Sequence, residues 1–423
     1  LPKQLTTMPS AYTSGGGYYT IYYHRLFMDR GDALFASFTF YWVGTGAVVH
    51  SAYPRILAIS EDGGVTWRAC SRQRMFERMV RQPVTWTGPA NGSDDWTSGA
   101  RWSGGAPGWG DTAVFTAAGN YSVSPIRQSG RFPWQAMHFE EGIPAFAVGF
   151  SVWNPSAAGT LVQVSPGVTT EHTIDAGRGA GPFQVNLRSG TNTVLNNGSG
   201  LLSIGSSQLN GVMRALSGEA TLVVDGSGNT VLGGLEGLSS TGRMVLQSAG
   251  GTLRLVKRGA GILTLNNTNA HSGTTLEAGT LRVAIDGASG WGGGAFGSAG
   301  APLTLRGGTL DLWMGGIAPC NTIVSGDVTI LCGSSMESPG ITSGPGTLAI
   351  GTNTLTVQPR ENVASGGTSL AFGATTLGGD AEFCIHEGPA TMNVVLGAVG
   401  ESGDGRSLTK TGAGTLTLNG AHS

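Results

Sequence analysis

The fold is decided by the stretch Val256-Lys257-Arg258-Gly259-Ala260-Gly261-Ile262-Leu263-Thr264-Leu265-Asn266-Asn267, which continues to Val283. Aliphatic residues occupy alternate positions, as in Leu263-Thr264-Leu265 and Leu281-Arg282-Val283. Such alternation is typical of short strands with one buried face. The glycines lie between the strands, where a corner needs positive φ or a close backbone approach. This stretch therefore predicts strands joined by glycine corners.

The same unit returns at the end of the chain, over residues 407–423. The matching positions are Lys257 with Lys410, Gly259 with Gly412, Gly261 with Gly414, Leu263 with Leu416, and Leu265 with Leu418. A shorter pattern, Gly-Thr-Leu, begins at Gly251, Gly279 and Gly308, among other places. Repeats of this size are typical of stacked coils that bury their apolar faces on one another. We therefore predict a β-solenoid whose repeat core includes the matched glycines and leucines together with Gly279 and Leu281.

Residues 255–283 and 407–423 closely resemble the autotransporter-associated β-strand repeat, also called the passenger-associated transport repeat. The resemblance implies a right-handed parallel β-helix in a bacterial surface or secreted protein, upstream of an outer-membrane export domain. We expect this helix to span residues 84–423. At about 20 to 30 residues per coil, it would contain about 11 to 17 coils.

Composition limits the classes of function. The 423 residues include 72 glycines and only 12% charged residues, but the hydrophobic fraction of 39% is enough for a packed core. Basic residues outnumber acidic ones within residues 1–83 but are isolated, so no nucleic-acid partner is indicated. No run of 18 apolar residues exists, so we predict no transmembrane helix. The chain starts at Leu1 and stops inside a repeat, so we expect a fragment.

Residues 1–83 differ from the rest and predict aromatic, antiparallel strands. The segment from Ser60 to Trp67 follows the pattern S-x-D-x-G-x-T-W, through Ser60, Asp62, Gly64, Thr66 and Trp67. It resembles the Asp-box, the hairpin turn of the bacterial neuraminidase (BNR) repeat. The resemblance implies a structural role in a partial β-propeller blade. Independently of it, the spacing of arginines and apolar residues over Ser71–Gln82 allows one amphipathic linker helix.

The same region contains the candidates for catalysis, Tyr22, His24 and Arg25. One interpretation is a glycan-facing set, with arginine on a carboxylate and histidine or tyrosine as acid or base. The alternative is a blade strand whose tyrosines pack between blades while histidine and arginine face water.

Residues 84–125 are rich in tryptophan and are predicted to cap the first coil of the β-helix, because an open coil end must be covered. The alternative is a platform on which sugar rings stack, formed by Trp96, Trp102 and Trp109. Farther along, the glycine-rich segment Gly287–Gly300, which contains Phe296, is predicted to protrude as a loop.

Four cysteines are present, and none forms a C-x-x-C pair, so we predict no metal site. Cys320 and Cys332 are close enough in sequence to form a disulfide loop outside the cytoplasm. The alternative is that both are small buried hydrophobic residues.

The hypothesis that follows is a stalk or passenger of an exported bacterial protein, secreted or on the outer-membrane surface, that acts as a scaffold or adhesin. Its expected partners are glycans or cell surfaces and the export machinery, including an outer-membrane barrel outside this fragment, and no cofactor is expected. The alternative is a secreted carbohydrate-active enzyme, sialidase-like or a polysaccharide lyase, whose catalytic propeller is mostly missing.

Overall fold

A computed structural model gives the backbone of four N-terminal strands and describes most of the remaining chain. The described residues are 18–28, 34–43, 56–60, 68–70, 83–88, 101–103, 107, 110–121, 126–127, 131–132, 134–175, 183–205, 211–233, 244–284, 294–313, 316–317, 320–333, 342–361, 363, 366–403 and 405–423. The chain divides into two compact units, Leu1–Gln82 and Pro83–Ser423.

The first unit contains one antiparallel sheet of four strands in sequential order. Its strands are β1 (Tyr18–Met28), β2 (Leu34–Val43), β3 (Ile56–Ser60) and β4 (Arg68–Cys70). The pairing of β1 with β2 shifts register between Ile21 and Tyr23, which marks a bulge. The predicted helix over Ser71–Gln82 lies outside the described residues.

The second unit consists of short strands separated by glycine-rich turns. Those before the first repeat are β5 (Pro83–Thr85), β6 (Thr112–Phe115), β7 (Ile126–Arg127), β8 (Arg131–Phe132), β9 (Ala136–Phe139), β10 (Phe146–Gly149), β11 (Val152–Trp153), β12 (Gly159–Val164), β13 (His172–Asp175), β14 (Gln184–Leu187), β15 (Gly190–Asn196), β16 (Leu202–Ile204), β17 (Gly211–Ala215), β18 (Glu219–Asp225), β19 (Thr230–Leu232) and β20 (Met244–Ser248).

The first repeat and the coils after it supply the other strands. They are β21 (Thr252–Lys257), β22 (Ile262–Leu265), β23 (Thr274–Leu276), β24 (Thr280–Val283), β25 (Pro302–Leu305), β26 (Thr309–Trp313), β27 (Gly316–Ile317), β28 (Asn321–Val324), β29 (Val328–Gly333), β30 (Thr342–Gly344), β31 (Thr347–Ile350), β32 (Thr354–Pro359), β33 (Gly367–Phe372), β34 (Thr375–Leu377), β35 (Ala381–Ile385), β36 (Thr391–Leu396), β37 (Val399–Glu401), β38 (Leu408–Thr411) and β39 (Thr415–Leu418).

These strands form long parallel sheets that the chain visits in turn. The first sheet has 13 strands and runs in the order β5-β6-β9-β12-β15-β18-β21-β23-β25-β28-β31-β34-β37. The second has 12 strands, β7-β10-β13-β16-β19-β22-β24-β26-β29-β32-β35-β38. The third face carries two five-stranded sheets, β8-β11-β14-β17-β20 and β27-β30-β33-β36-β39. Each circuit of the chain adds one strand to successive sheets, so the predicted parallel β-helix is confirmed.

The core consists of columns of inward side chains, one from each coil. One column in the first sheet contains Val84, Ala113, Met137, Val162, Val194, Val224, Lys257, Leu276, Leu305, Val324, Ile350 and Leu377, paired in register. Burial of each large aliphatic side chain contributes about 2 kcal/mol. Successive members are between 19 residues apart, from Lys257 to Leu276, and 33 apart, from Val224 to Lys257.

The third face is interrupted at the first repeat. Between β20 and β27, the described residues of that face form no strand, but they contribute a parallel bridge from Gln247 to Ala270 and backbone hydrogen bonds from Asn269 N to Gly294 O and from Ser298 N to His271 O. The coils here are short, because β21 and β23 belong to neighbouring coils of the first sheet and only β22 lies between them. The repeat therefore builds a coil with two strands.

The prediction that Gly287–Gly300 protrudes as a loop is wrong for the C-terminal part of this segment. Phe296 is 1% exposed and belongs to the core, and Thr274 donates a hydrogen bond to its carbonyl oxygen. The apolar ring packs inward because glycines on either side let the backbone approach the coil. Residues 285–293 lie outside the described residues.

Candidate functional site: the lysine and glycine corner of the repeat

Lys257 is the last residue of β21 and occupies an inward position in the hydrophobic column of the first sheet. It is 2% exposed, with Val224 and Leu276 as its neighbours in the coils on either side. A lysine is almost never buried unless its ammonium group has partners. The partners of the Lys257 amine therefore have to be identified to explain why the lysine is buried.

The amine of Lys257 turns into the corner between the first and second sheets. Its Nζ donates to the carbonyl oxygens of Arg258, of Gly259 at 2.8 Å, and of Ala278 at 3.3 Å. The first two belong to its own coil and the third to the next coil. Burial lowers the pKa of Lys257 to about 8, and the nearby Asp225 carboxylate opposes this shift. One side chain thus satisfies carbonyl groups of two coils.

The corner itself requires glycine. Gly259 and Gly279 have φ values of 66° and 68°, in the left-handed region. A Cβ atom on Gly259 would overlap the backbone of Gly226, and one on Gly279 would overlap the carbonyl oxygen of Gly259 and lie 2.7 Å from that of Gly261. Consecutive corners therefore pack backbone against backbone. At Gly259 and Gly279, both the positive φ and the short distance to the neighbouring backbone disfavour any residue with a side chain.

A ladder of charged residues lies on the solvent side of the same corners. Glu277 accepts hydrogen bonds from Arg258 Nε at 2.6 Å and from Arg306 Nη1 at 3.1 Å, so three successive coils are joined. These hydrogen bonds, chiefly that from Arg258, lower the pKa of Glu277. All three side chains are partly exposed, so the pairs are screened by solvent.

The second copy of the repeat forms the same local contact at a different corner. Lys410 lies in β38 of the second sheet, above Phe383, and its Nζ donates to Gly412 O at 2.6 Å. Gly412 has φ of 77°. In the first copy the corner joins the first sheet to the second, whereas here it joins the second to the third. The repeat sequence therefore specifies the lysine-to-glycine contact at a corner, but it does not specify which two sheets of the β-helix that corner joins.

The leucines of the two copies differ in burial. Leu263, Leu265 and Leu281 are at most 1% exposed and lie in the core, as predicted for the first copy. In the second copy Leu416 is half-buried and Leu418 is 48% exposed. The alternation is the same, but only the first copy has coils on both sides among the described residues.

His271 is another buried polar residue of the repeat. It is fully buried, and its Nε2 lies 2.7 Å from Thr274 Oγ1, which donates in turn to Phe296 O at 2.9 Å. Burial lowers the pKa of His271 to about 3, so the ring is neutral. The side chain of Asn269 joins the same loop to neighbouring backbone, through Leu246 N at 2.9 Å and Ala295 O at 2.9 Å.

A second cluster of charges lies on the outer side of the second sheet. Asp311 is 1% exposed and accepts hydrogen bonds from Arg282 Nε at 2.9 Å, Trp313 Nε1 at 2.9 Å and Arg360 Nη1. Both guanidinium groups lie over the Trp313 ring, at 4.2 and 4.3 Å from its centroid. The side chain of Arg360 crosses Gly333, where a Cβ atom would lie 2.6 Å from its Cδ. The cluster joins several coils.

The predicted catalytic residues lie on β1 of the first unit. His24 pairs with Phe38 and Arg25 with Ser37, and Tyr22 lies at the bulge. Of the Asp-box residues, Ser60 ends β3, and Asp62, Gly64, Thr66 and Trp67 lie outside the described residues. The catalytic and Asp-box assignments stay predictions.

The prediction that Trp102 forms part of a sugar-stacking platform is wrong. This residue is 5% exposed, and its ring packs edge-on against Trp86 and Trp134, with centroids 5.0 Å apart in each case. Both neighbours are buried, so the rings form the core of the first coils and leave Trp102 no free face for a sugar. Trp96 and Trp109 lie outside the described residues.

The disulfide between Cys320 and Cys332 is not formed. Both residues are free and buried, which is the alternative that the sequence left open. Cys320 Sγ donates to Pro345 O at 3.0 Å, and burial raises the pKa of its thiol to about 11. Burial likewise raises the pKa of Cys332. Cys320 precedes a strand of the first sheet and Cys332 lies in the second sheet, so each fills the core in its own layer.

Sequence reasoning identified the glycines and leucines of the repeat but missed the roles of Lys257 and His271. Both residues recur in the second copy, as Lys410 and His422. The signal that could have identified them is that polar residues recur at fixed offsets from a glycine corner.

Across the described residues no group of three or more His, Cys, Asp or Glu side chains could hold a metal ion, and no helix has the length and hydropathy to cross a membrane.

Comparison with known proteins gives a family match over the two segments that contain this corner. No curated protein and no solved structure matches the chain. The model of the Passenger-associated-transport-repeat family matches residues 255–283 and 408–423, the segments that contain the lysine and glycine corner in both copies. Over these two segments the chain is similar to the repeats associated with autotransporter passengers, which indicates an exported protein.

Proposed function

We propose that residues 83–423 form a β-helical stalk of an exported bacterial protein, secreted or held at the outer-membrane surface, and that this stalk acts as a scaffold or adhesin. The observation that carries the proposal is the contact of Lys257 with the carbonyl oxygen of Ala278 in the next coil. The residues that distinguish the repeat are thus used to join coils.

The mechanism follows from the local nature of this contact. Each coil is stabilised mainly by its neighbours, so folding can start at one coil and spread to the next. In both copies the lysine donates to a glycine carbonyl two residues ahead, so this bond can form before the next coil arrives. In the first copy the next coil adds the Ala278 carbonyl. A chain that emerges from an export channel could therefore fold coil by coil.

Surface display tests this proposal. The full chain would be fused to a signal peptide and an outer-membrane export domain and produced in a Gram-negative bacterium. We expect a protease-resistant product covering residues 83–423 on intact cells. Gly279→Val should reduce the resistant product, because a side chain there overlaps the Gly259 carbonyl, whereas Gly300→Ala should not, because the space around Gly300 is open. A product retained inside the cell, or equal yields for both variants, would contradict the proposal.

The adhesin part of the proposal concerns the outer faces of the sheets. Cells that display the chain should adhere to glycan-coated surfaces more strongly than cells that display the export domain alone. Equal adherence on a broad set of glycans would limit the role to that of a scaffold.

One observation favours a second candidate, a carbohydrate-active parent enzyme. The strands β1 to β4 form an antiparallel meander, the strand order of a propeller blade. If a propeller precedes this stretch in the parent protein, the parent should cleave an oligosaccharide or polysaccharide, and His24→Ala should abolish the cleavage. Unchanged turnover in that variant would remove His24 from the catalytic set.

A further inference from the structure

One outward row of the second sheet is built mostly from threonine, and its two exceptions are Ile262 at its start and a cysteine near its end. In register, the row contains Ile262, Thr280, Thr309, Thr329, Thr356, Cys384 and Thr411. Cys384 is flanked by Thr356 and Thr411, one on each neighbouring strand. Threonine satisfies the packing of this row in five coils, so packing alone does not require a cysteine at position 384.

Cys384 has a partner suited to thiol chemistry. His386 lies two residues further along the strand direction and therefore on the same outer side, and its Nε2 lies 3.3 Å from Cys384 Sγ. His386 is exposed and Cys384 is half-buried. The carboxylate of Glu382, two residues before Cys384, accepts hydrogen bonds from Thr354 at 3.2 Å and Thr411 at 2.8 Å. The thiol and the imidazole thus form a pair at the surface.

The other two cysteines with described side chains differ from Cys384 in being buried. Cys320 and Cys332 are buried and free, and burial raises the pKa of both thiols. Sulfur reacts as the thiolate, so these two thiols are protected by the fold. Among the cysteines whose side chains the structure describes, Cys384 is the one that solvent reaches.

We propose that Cys384 and His386 form a thiol-exchange site whose substrate is a disulfide. The imidazole Nε2 accepts the thiol proton while the Cys384 sulfur attacks one sulfur of R–S–S–R. The S–S bond of the substrate breaks as the new one forms, and the leaving R–S⁻ takes the proton from the imidazolium. The products are Cys384–S–S–R and R–SH, so the incoming disulfide is the oxidant and no other reactant is needed. This site is independent of the stalk function.

The disulfide has two possible sources with the same chemistry. One is a small disulfide in an oxidising extracellular medium, and the other is the mixed disulfide Cys384–S–S–R of a second copy, which Cys384 attacks to join the two chains with release of R–SH. Incubation with oxidised glutathione followed by intact-mass measurement detects the first. A non-reducing gel of the same incubation, with air excluded, detects the second, and Cys384→Thr should remove both products.

The decisive experiment measures the rate of exchange with 5,5′-dithiobis(2-nitrobenzoic acid) near neutral pH, in the full reduced chain. Peptide mapping assigns each labelled site, which separates Cys384 from Cys70, and glutathione in each medium corrects for the effect of denaturant. We expect Cys384 to react about tenfold faster in the folded chain than in the unfolded one, because the imidazole is positioned only in the folded state. Cys320 and Cys332 should react only after unfolding, which reports the integrity of the fold in the same sample.

His386→Ala should remove this acceleration while Cys320 and Cys332 stay protected, and added imidazole should restore part of it. Glu387→Ala, which changes the next exposed side chain, is the matched control and should react like the unmodified chain. The proposal is overturned if folded Cys384 reacts no faster than unfolded Cys384, or if His386→Ala reacts at the original rate.

Discussion

Lys257 and Ala278 join consecutive coils of the β-helix, with Lys257 Nζ 3.3 Å from the Ala278 carbonyl oxygen across 21 residues of sequence. The amine occupies a position that valine or leucine fills in most other coils of the same column. An ammonium group among aliphatic side chains is costly unless each proton has an acceptor. The corner carbonyls provide those acceptors, so the lysine is part of the coil-to-coil contact.

Lys257→Met should destabilise this region by about 2–4 kcal/mol, because the carbonyls of Arg258, Gly259 and Ala278 lose their donor while the aliphatic volume is kept. Lys410→Met is the matched control, and because Lys410 is exposed it should change stability by less than about 0.5 kcal/mol. Hydrogen exchange at the Gly261 and Glu277 amides, which bond to Gly226 O and Lys257 O, measures the local effect. Equal protection in the two variants would contradict the role assigned to Lys257.

Gly279→Ala and Gly300→Ala separate backbone strain from backbone overlap. Both glycines have positive φ, 68° and 77°, but only Gly279 has backbone within the reach of a Cβ atom. Gly300→Ala should cost about 1 kcal/mol, the usual penalty for the left-handed region. Gly279→Ala should cost at least about 3 kcal/mol, because the stacked corners must also separate. Urea denaturation of the full chain compares the two, and similar midpoints would show that the corners are not tightly packed.

Two carboxylates allow a comparison of exposed and buried ion pairs. The Glu277 side chain is 26% exposed and that of Asp311 is 2% exposed, and each binds two arginines. Glu277→Gln should therefore cost less than about 1 kcal/mol. Asp311→Asn should cost about 3–5 kcal/mol, because Arg282 and Arg360 lose the buried carboxylate that both of them bind. Thermal denaturation at low and high salt checks this, and salt should affect only the Glu277 contribution.

Acid should weaken the β-helix through its buried histidines. Burial lowers the pKa of His271 to about 3 and that of His172 to about 4, both from an ordinary value of 6.5. The folded chain therefore favours the neutral rings, and their contribution to stability is complete above about pH 6.5 and is lost as the pH falls towards 4 and then 3. Urea midpoints between about pH 7 and about pH 4 measure this loss.

His271→Gln should make the acid limb shallower, since glutamine can bond to Thr274 without titrating. His422→Gln, at an exposed histidine, is the control and should leave the limb unchanged. An identical slope in the chain with His271→Gln would show that protonation of this ring does not drive the loss.

The sequence predicted the solenoid because its leucines alternate and its glycines recur, and both features are properties of the local backbone. Leu263 and Leu281 are buried as the alternation requires. The burial of Lys257 was not predictable from alternation, since a lysine at the end of a strand is usually assigned to the surface. Its inward position depends on two carbonyl groups of its own corner and on one that the next coil contributes.

Aromatic residues and cysteines were harder to place. Trp102 was compatible with a cap or a sugar platform, and the choice depended on whether Trp86 and Trp134 surround it, which is a matter of long-range packing. Cys320 and Cys332 are close in sequence, but Cys320 lies just before a strand of the first sheet and Cys332 lies in a strand of the second. Phe296 lies in a glycine-rich segment, and its burial depends on packing against core residues that are distant in sequence.

The break in the third face has a mechanical consequence. Among the described residues, the coils up to β20 and those from β27 onward share two continuous ladders but no continuous ladder on the third face. A pulling force along the ladders would therefore be borne unequally around the circumference at the first repeat. Rupture should begin there and leave two intact blocks, so the repeat would set where such a rod yields.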